Sequence, residues 1–268
     1  MYILAPQLEA MLKPFRFLLA LTRVFLLIIP MAILIVLYVI LTRLSFQHTH
    51  ERAFRLRRMY LKYCNFVLGI KTEVRSKPSM TNALYVSNHR SLSDPLILCQ
   101  YLDAYIIAKA EVAKYPLIST GAELTGILYV QRNDKNSRQA VREKMKETLA
   151  DKHNVLVYPE GTVNYNKHTL PYRPGTFVET LKMGIPVVPV CLEYKSWKDV
   201  WCNRGMFEHF FLQFGYLRTH VRLVIGEAMY AETGEELCQK VENWTNDTID
   251  SIHSDWASYF HSHDSIQQ

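Results

Sequence analysis

Ala83-Leu84-Tyr85-Val86-Ser87-Asn88-His89-Arg90-Ser91-Leu92-Ser93-Asp94-Pro95 is the stretch on which the fold turns. It opens with a short apolar run, passes through a polar turn and ends on a proline. The run over 83–87 suits a strand buried on both faces. Pro95 suits the first position of a helix, with Asp94 as the cap before it, so a helix is expected over 95–101. The same alternation recurs along the chain. Further strands are expected over 71–75, 105–108, 127–130, 155–158, 187–192 and 221–225. Further helices are expected over 135–151, 175–183 and 234–260, the last with Thr233 and Glu236 spaced as a capping box. Strands alternating with helices imply an α/β fold: a mostly parallel mixed sheet flanked by helices. No repeat and no Gly-, Ser- or Pro-rich linker divides it, so one domain is expected over 50–268.

Upstream the composition changes. Residues 24–42 carry no charge, and 17–21 extend the apolar run backwards. A bilayer-spanning helix needs about 20 apolar residues. Pro30 would kink such a helix without preventing it. Residues 1–49 therefore read as an N-terminal membrane helix or a helical anchor bent near Pro30 and lying in one leaflet. A signal peptide fits poorly, because its apolar core would be shorter and end at a small-residue cleavage site.

Residues 43–77 then hold nine Lys or Arg against two acids, whereas residues 227–268 hold nine acids and one Lys. A basic stretch beside an apolar one suits membrane phospholipids rather than nucleic acid. Within it, 51–68 reads as an amphipathic basic helix. The Lys and Arg excess after the segment puts that side in the cytoplasm, which means the inner membrane in a bacterium or the endoplasmic reticulum in a eukaryote. With 49% apolar and 21% charged residues, a disordered chain is excluded. Five cysteines without a Cys-x-x-Cys pair argue against a zinc site or a disulfide framework. The histidines show no metal-ligand spacing, so no metal is expected.

In parallel sheets ligands gather at the carboxyl ends of strands, and polar residues follow three of the expected strands here. His89 and Asp94 lie five apart across a turn. A turn there can bring the carboxylate back to the imidazole, fix its tautomer and leave the other ring nitrogen as a general base. Ser91 lacks the Gly-x-Ser-x-Gly elbow, and Ser91 and Ser93 are expected to bond to the turn. The nucleophile then belongs to the substrate, as a hydroxyl would. Taken alone, the pair reads first as a helix cap and a histidine bonded to a backbone carbonyl.

The pattern Asn88-His89-x-Ser91-x-x-Asp94 after a strand resembles the first signature block of the glycerolipid acyltransferases, which include the lysophosphatidic acid acyltransferases. Gly126-Ile127-Leu128-Tyr129-Val130-Gln131-Arg132 is similar to the second block, Tyr158-Pro159-Glu160-Gly161-Thr162 to the third and Ile185-Pro186-Val187-Val188-Pro189-Val190 to the fourth. Ala108-Lys109-Ala110-Glu111, Pro116 and Gly121 also look like family sequence.

The resemblance implies a glycerol-3-phosphate acyltransferase-like fold and a direct acyl transfer. The acyl group would pass from acyl-CoA or acyl carrier protein to the free hydroxyl of 1-acyl-sn-glycerol-3-phosphate or another lysophospholipid acceptor. It implies catalysis by His89 and Asp94, and acceptor or phosphate binding by Arg132, Glu160, Gly161 and Thr162. No cofactor beyond the thioester co-substrate is implied. Backbone N–H groups near the His89 turn would serve the oxyanion.

One departure stands out. Where many members that form phosphatidic acid carry an Arg after Pro-Glu-Gly-Thr, this chain has Val163. The missing phosphate contact would fall to another residue such as Lys167 or Arg173. The acceptor could equally be lysophosphatidylcholine. A membrane thioesterase and a non-enzymatic lipid-binding protein are the readings from other classes.

Overall fold

The computed structural model describes residues 4–44, 49–76, 80–109, 126–130 and 137–256. Helix α1 (Leu4–Arg43) is followed by α2 (His50–Leu68), β1 (Ile70–Arg75), β2 (Leu84–Ser87), α3 (Asp94–Tyr101), β3 (Ala104–Lys109) and β4 (Ile127–Val130). Then come α4 (Ser137–Ala150), β5 (Asn154–Val157), α5 (Gly175–Lys182), β6 (Val187–Tyr194), a short 3-10 turn (Trp197–Asp199), α6 (Met206–Phe214), β7 (Thr219–Ile225) and α7 (Gly234–Asp255). The seven described strands form one sheet in the order β1-β7-β6-β2-β5-β3-β4. The five strands from β6 to β4 are mutually parallel. β7 is antiparallel to β6 and carries β1 parallel to itself. The sheet is therefore mixed and mostly parallel, as expected, with its reversed pair at one edge.

The central strand shows why these residues form a sheet interior. All four residues of β2 are buried. Tyr85 enters the core beneath α2, α3 and α6, together with Leu156, Val188, Val190, Leu98 and Phe214. Leu84 and Val86 point the other way, among Val155, Val157, Val187, Met145, Phe177 and Val241 under α4, α5 and α7. The alternation is the period of a strand, and covering both faces is what a parallel interior requires.

Register then places the site. Val86 faces Val157 of β5, and Ser87 faces Val190 of β6. The segment after β2 therefore emerges between the segment after β5 and the last rungs of β6. Asn88 continues the ladder with its side chain. Its amide donates to Leu192 O (2.9 Å) and accepts from Leu192 N (2.9 Å), taking the place of a backbone rung.

α1 and α2 run antiparallel. Gly69, in the left-handed region at φ 73, ends α2. A Cβ there would clash with Leu217 O and sit 2.8 Å from an Arg23 guanidinium nitrogen, so only glycine fits. Pro30 cannot donate to Leu26 O, four residues earlier. The Tyr63 hydroxyl donates to that carbonyl at 2.8 Å, and Tyr60 donates to Leu27 O at 2.7 Å. α1 thus continues through the proline, and is longer than the uncharged run on which the expectation rested. Ala20, Arg23 and Tyr38 are buried, while Phe25, Ile29, Ile33, Val36 and Leu37 are exposed. The stretch Met11–Leu41 is long and apolar enough to cross a membrane.

Two details differ from expectation. At α7 the Thr233 hydroxyl accepts from Glu236 N (3.1 Å), but Glu236 returns to Glu232 N rather than to the cap residue itself. Helix α6 was not expected at all.

Candidate active site

The turn after β2 is held from three sides. His89 Nδ1 and Asp94 Oδ2 lie 2.7 Å apart. The same oxygen accepts the backbone N–H of Arg90 (2.6 Å) and of Ser91 (2.9 Å), and Oδ1 accepts the Tyr194 hydroxyl (2.6 Å). Asp94 is fully buried, which demands this many donors. It does not cap α3. The cap residue is Ser93, and the carboxylate reaches back to amides before the helix. A carboxylate with Nδ1 in reach makes Nδ1 the N–H nitrogen, and Nε2 has no partner among the described residues. The Tyr158 ring stacks on the imidazole at 4.2 Å between centroids.

Glu160 braces the turn from the next strand. Its Oε1 accepts His89 N (2.9 Å) and its Oε2 accepts Leu170 N (2.8 Å). Burial raises its carboxyl above the ordinary range, and the two amides and Arg90 pull it back down. Arg90 crosses behind. It pairs with Glu193 (2.5 Å) and donates to the carbonyls of Asn164 (3.1 Å), Asn166 (2.6 Å) and Lys167 (2.9 Å). Glu193 also meets His253 at 3.1 Å and Asn88 at 3.2 Å. The amides of His89, Arg90 and Ser91 are therefore all committed to carboxylates, and none of the three is free to serve an oxyanion.

Ser91 and Ser93 are fully buried and turned away from the imidazole of His89. Ser91 Oγ meets His209 Nε2 (2.8 Å) and Gln213 (3.2 Å). Ser93 Oγ meets Tyr194 Oη (2.8 Å) and accepts from Gln213 Nε2 (3.0 Å). The two hydroxyls also meet each other within the turn (3.2 Å), and their other partners come from α6 and β6, so neither hydroxyl can act on a substrate.

Of the remaining predicted residues, Gly161 has φ 74, which favours glycine, and Thr162 is exposed. A Cβ on Gly161 would lie 3.3 Å from a guanidinium nitrogen of Arg173. The structure thus brings together His89, Asp94, Glu160 and Gly161. Arg132 lies outside the described residues, as do Gln131, Ala110, Glu111, Pro116 and Gly121.

Residues 70–193 match the family model described as Acyltransferase. This stretch contains the whole His89 turn, the Glu160 turn, five of the seven described strands and all of β6 but Tyr194. This stretch belongs to the glycerolipid acyltransferase family. The chain is similar to the 1-acyl-sn-glycerol-3-phosphate acyltransferase alpha of Ovis aries, 28% identical over 159 residues, covering 56% of this chain and 54% of that one. It is also similar to the lyso-ornithine lipid O-acyltransferase of Rhodobacter capsulatus, 30% identical over 141 residues and half of each chain. The chain thus spans about half the length of the curated relatives it matches. The crystal structure of the 1-acyl-sn-glycerophosphate acyltransferase PlsC from Thermotoga maritima shares the fold, with a TM-score of 0.69 and 20% identity over 90% of this chain and 95% of that one.

In this chain the residues that sequence reasoning missed are those behind the dyad: Tyr194, Gln213 and His209. They lie 100 or more residues from their partners, and no local pattern marks them. Burial, aided by Arg204, pushes the His209 imidazole down to about 4. Its folded value lies below the ordinary 6.5, so the unfolded chain protonates first. This group's stabilisation is complete above about pH 6.5 and is lost as pH falls toward 4. The advantage of wild type over His209→Gln in urea unfolding should shrink by roughly 3 kcal/mol over that range. The Asp199 carboxyl, pushed up to about 6 by burial, acts with the opposite sign. It is present in both proteins and cancels in the difference. A difference that does not change with pH would contradict a neutral buried His209.

Proposed function

We propose that the chain is a membrane-bound O-acyltransferase acting on a lysophospholipid, with 1-acyl-sn-glycerol-3-phosphate as the first acceptor and phosphatidic acid as its product. The observation that supports this best is the dyad. His89 is oriented through Nδ1 by Asp94 at 2.7 Å, and the nearby serine hydroxyls are buried and bonded elsewhere. His89 Nε2 takes the proton of the acceptor hydroxyl as its oxygen attacks the thioester carbonyl. The C–S bond breaks, and the thiolate leaves with the proton that the imidazolium returns. No acyl-enzyme forms. The donor is acyl-CoA or acyl carrier protein, and no cofactor takes part.

Arg132 and Arg173 are the phosphate contacts in this reading. Arg173 is exposed, lies against Gly161 and makes no hydrogen bond or ion pair among the described residues. Lys167, the other candidate, is drawn to Asp250 at 2.8 Å. Tyr172 N donates to Glu242 (2.8 Å) and Leu170 N to Glu160, so the chain leading to Arg173 is fixed.

The test is an acceptor panel read by product mass. Wild type should acylate 1-acyl-sn-glycerol-3-phosphate. Arg173→Gln should raise the KM for it by roughly tenfold or more, the scale of a charge-assisted hydrogen bond, and leave the donor KM unchanged. A wild type that prefers an acceptor without a phosphomonoester, and is indifferent to Arg173→Gln, would favour the second reading. That reading is supported by Val163 and by relatives whose names differ in acceptor.

The anchor is proposed to be 1–49 and the catalytic domain 50–268, facing the cytoplasm. α1 is buried at Ala20, Arg23 and Tyr38, and its Leu27 and Leu26 carbonyls accept from Tyr60 and Tyr63. Such a helix lies along the domain, and its exposed apolar face supports a seat within one leaflet.

A further inference from the structure

Arg23 lies in the apolar helix α1, where a charge is costly unless a partner repays it. It is buried, and its partners are three carbonyls at the end of α6. Nη1 donates to Phe214 O (2.7 Å) and Tyr216 O (2.6 Å), and Nη2 to Leu217 O (3.2 Å). Phe214 O is one of the groups a helix C-terminus leaves unsatisfied, the other two carbonyls belong to the turn that follows, and a cation there also complements the helix dipole. Two further contacts fasten α6 to α1. Phe17 stacks on Phe211 at 4.8 Å, and Arg16 both bonds the Tyr216 hydroxyl (2.9 Å) and lies over its ring.

The opposite face of α6 holds the catalytic turn. Gln213 and His209 bond Ser91 and Ser93, and Ser93 meets Tyr194, whose hydroxyl donates to Asp94. Every member of this chain of contacts beyond Arg23 is buried. Phe214, whose carbonyl Arg23 holds, is the residue after Gln213. One helix of nine residues is thus pinned at its end by the anchor and sets the dyad with its inner face.

We infer that Arg23 is a positioning residue: it fixes α6, and α6 fixes Asp94 through Gln213, Ser93 and Tyr194. The anchor is then part of the catalytic geometry as well as the means of reaching the lipid. This inference rests on the acyl-transfer reading. It goes beyond that reading by placing a rate-determining contact in the membrane helix, far from the acceptor.

The test uses the full chain in mixed micelles with saturating donor and acceptor, and vesicle flotation as a separate measure of membrane binding. Arg23→Gln should lower kcat about tenfold, with both KM values and flotation within twofold of wild type. Arg23→Lys, which keeps the charge and a donor, should recover most of that loss. In a Gln213→Met background, where α6 no longer bonds Ser93 and keeps its His209–Ser91 contact, Arg23→Gln should change kcat less than threefold, because neighbours in one network are not additive. Should Arg23→Gln fail to fold, Phe17→Ala, which loosens the same end of α6, takes its place with the same expectations. An unchanged kcat, an equal loss in both backgrounds, or a loss that follows flotation or KM would overturn the inference while acyl transfer stands. A wild type inactive toward every acceptor would instead remove the acyl-transfer reading, and the inference with it.

Discussion

His89→Ala lowers acyl transfer by on the order of 10³-fold, the contribution expected of a positioned general base, while the protein stays folded. The imidazole packs on one face against Tyr158 and is 21% exposed, so truncation opens the site without emptying the core. Substrate KM values should move little, because the ring acts on a proton rather than holding the lipid. Asp94→Asn should fall nearly as far. An amide has one acceptor oxygen, so it cannot accept from Arg90 N, Ser91 N and His89 Nδ1 on one side and from the Tyr194 hydroxyl on the other, and the turn and the tautomer would slip at once. Steady-state thiol release, alongside circular dichroism of each variant, checks this. Retention of a tenth of wild-type kcat in His89→Ala would place the base elsewhere.

The largest effect on stability belongs to Arg90. Its guanidinium is 2% exposed and satisfies Glu193 and three carbonyls of the loop over 164–167. Arg90→Met should destabilise by about 3–5 kcal/mol, because it leaves Glu193 as a buried charge with His253 and Asn88 as its remaining side-chain partners among the described residues. Pairing it with Glu193→Gln should recover part of the loss, since an amide costs less to bury than an unpaired carboxylate. Urea unfolding of the single and double variants measures both. A loss under 1 kcal/mol for Arg90→Met would mean that the pair is solvated rather than buried.

The fold was largely legible in the sequence where an element's own residues decide it. Short apolar runs such as 84–87 and 187–194 are strands because a strand buried on both faces needs little else. Asp94 and His89 were legible because a turn brings neighbours in sequence together. Helix α6 was not. Its sequence, Met206-Phe207-Glu208-His209-Phe210-Phe211-Leu212-Gln213-Phe214, is apolar nearly all round. It buries the polar His209 and Gln213 and leaves Phe207 exposed, so its apolar pattern does not mark the face that packs on the catalytic turn. His209 consequently reads as one of several scattered histidines, and nothing in the sequence singles out Gln213. Tyr194 and Glu193 were hidden for a different reason. They extend β6 beyond its last rung with β2, where it pairs with β7, and only sheet register shows that this end reaches the catalytic turn.

The account's central claim is that the hydroxyl of a lysolipid, deprotonated at His89, attacks the thioester directly. The most direct measurement is thiol release from an acyl-thioester in the presence and absence of acceptor, with the diacyl product quantified in the same sample. The account predicts release only with acceptor, matched one for one by product. Release of thiol and free fatty acid without acceptor would contradict it and identify a thioesterase.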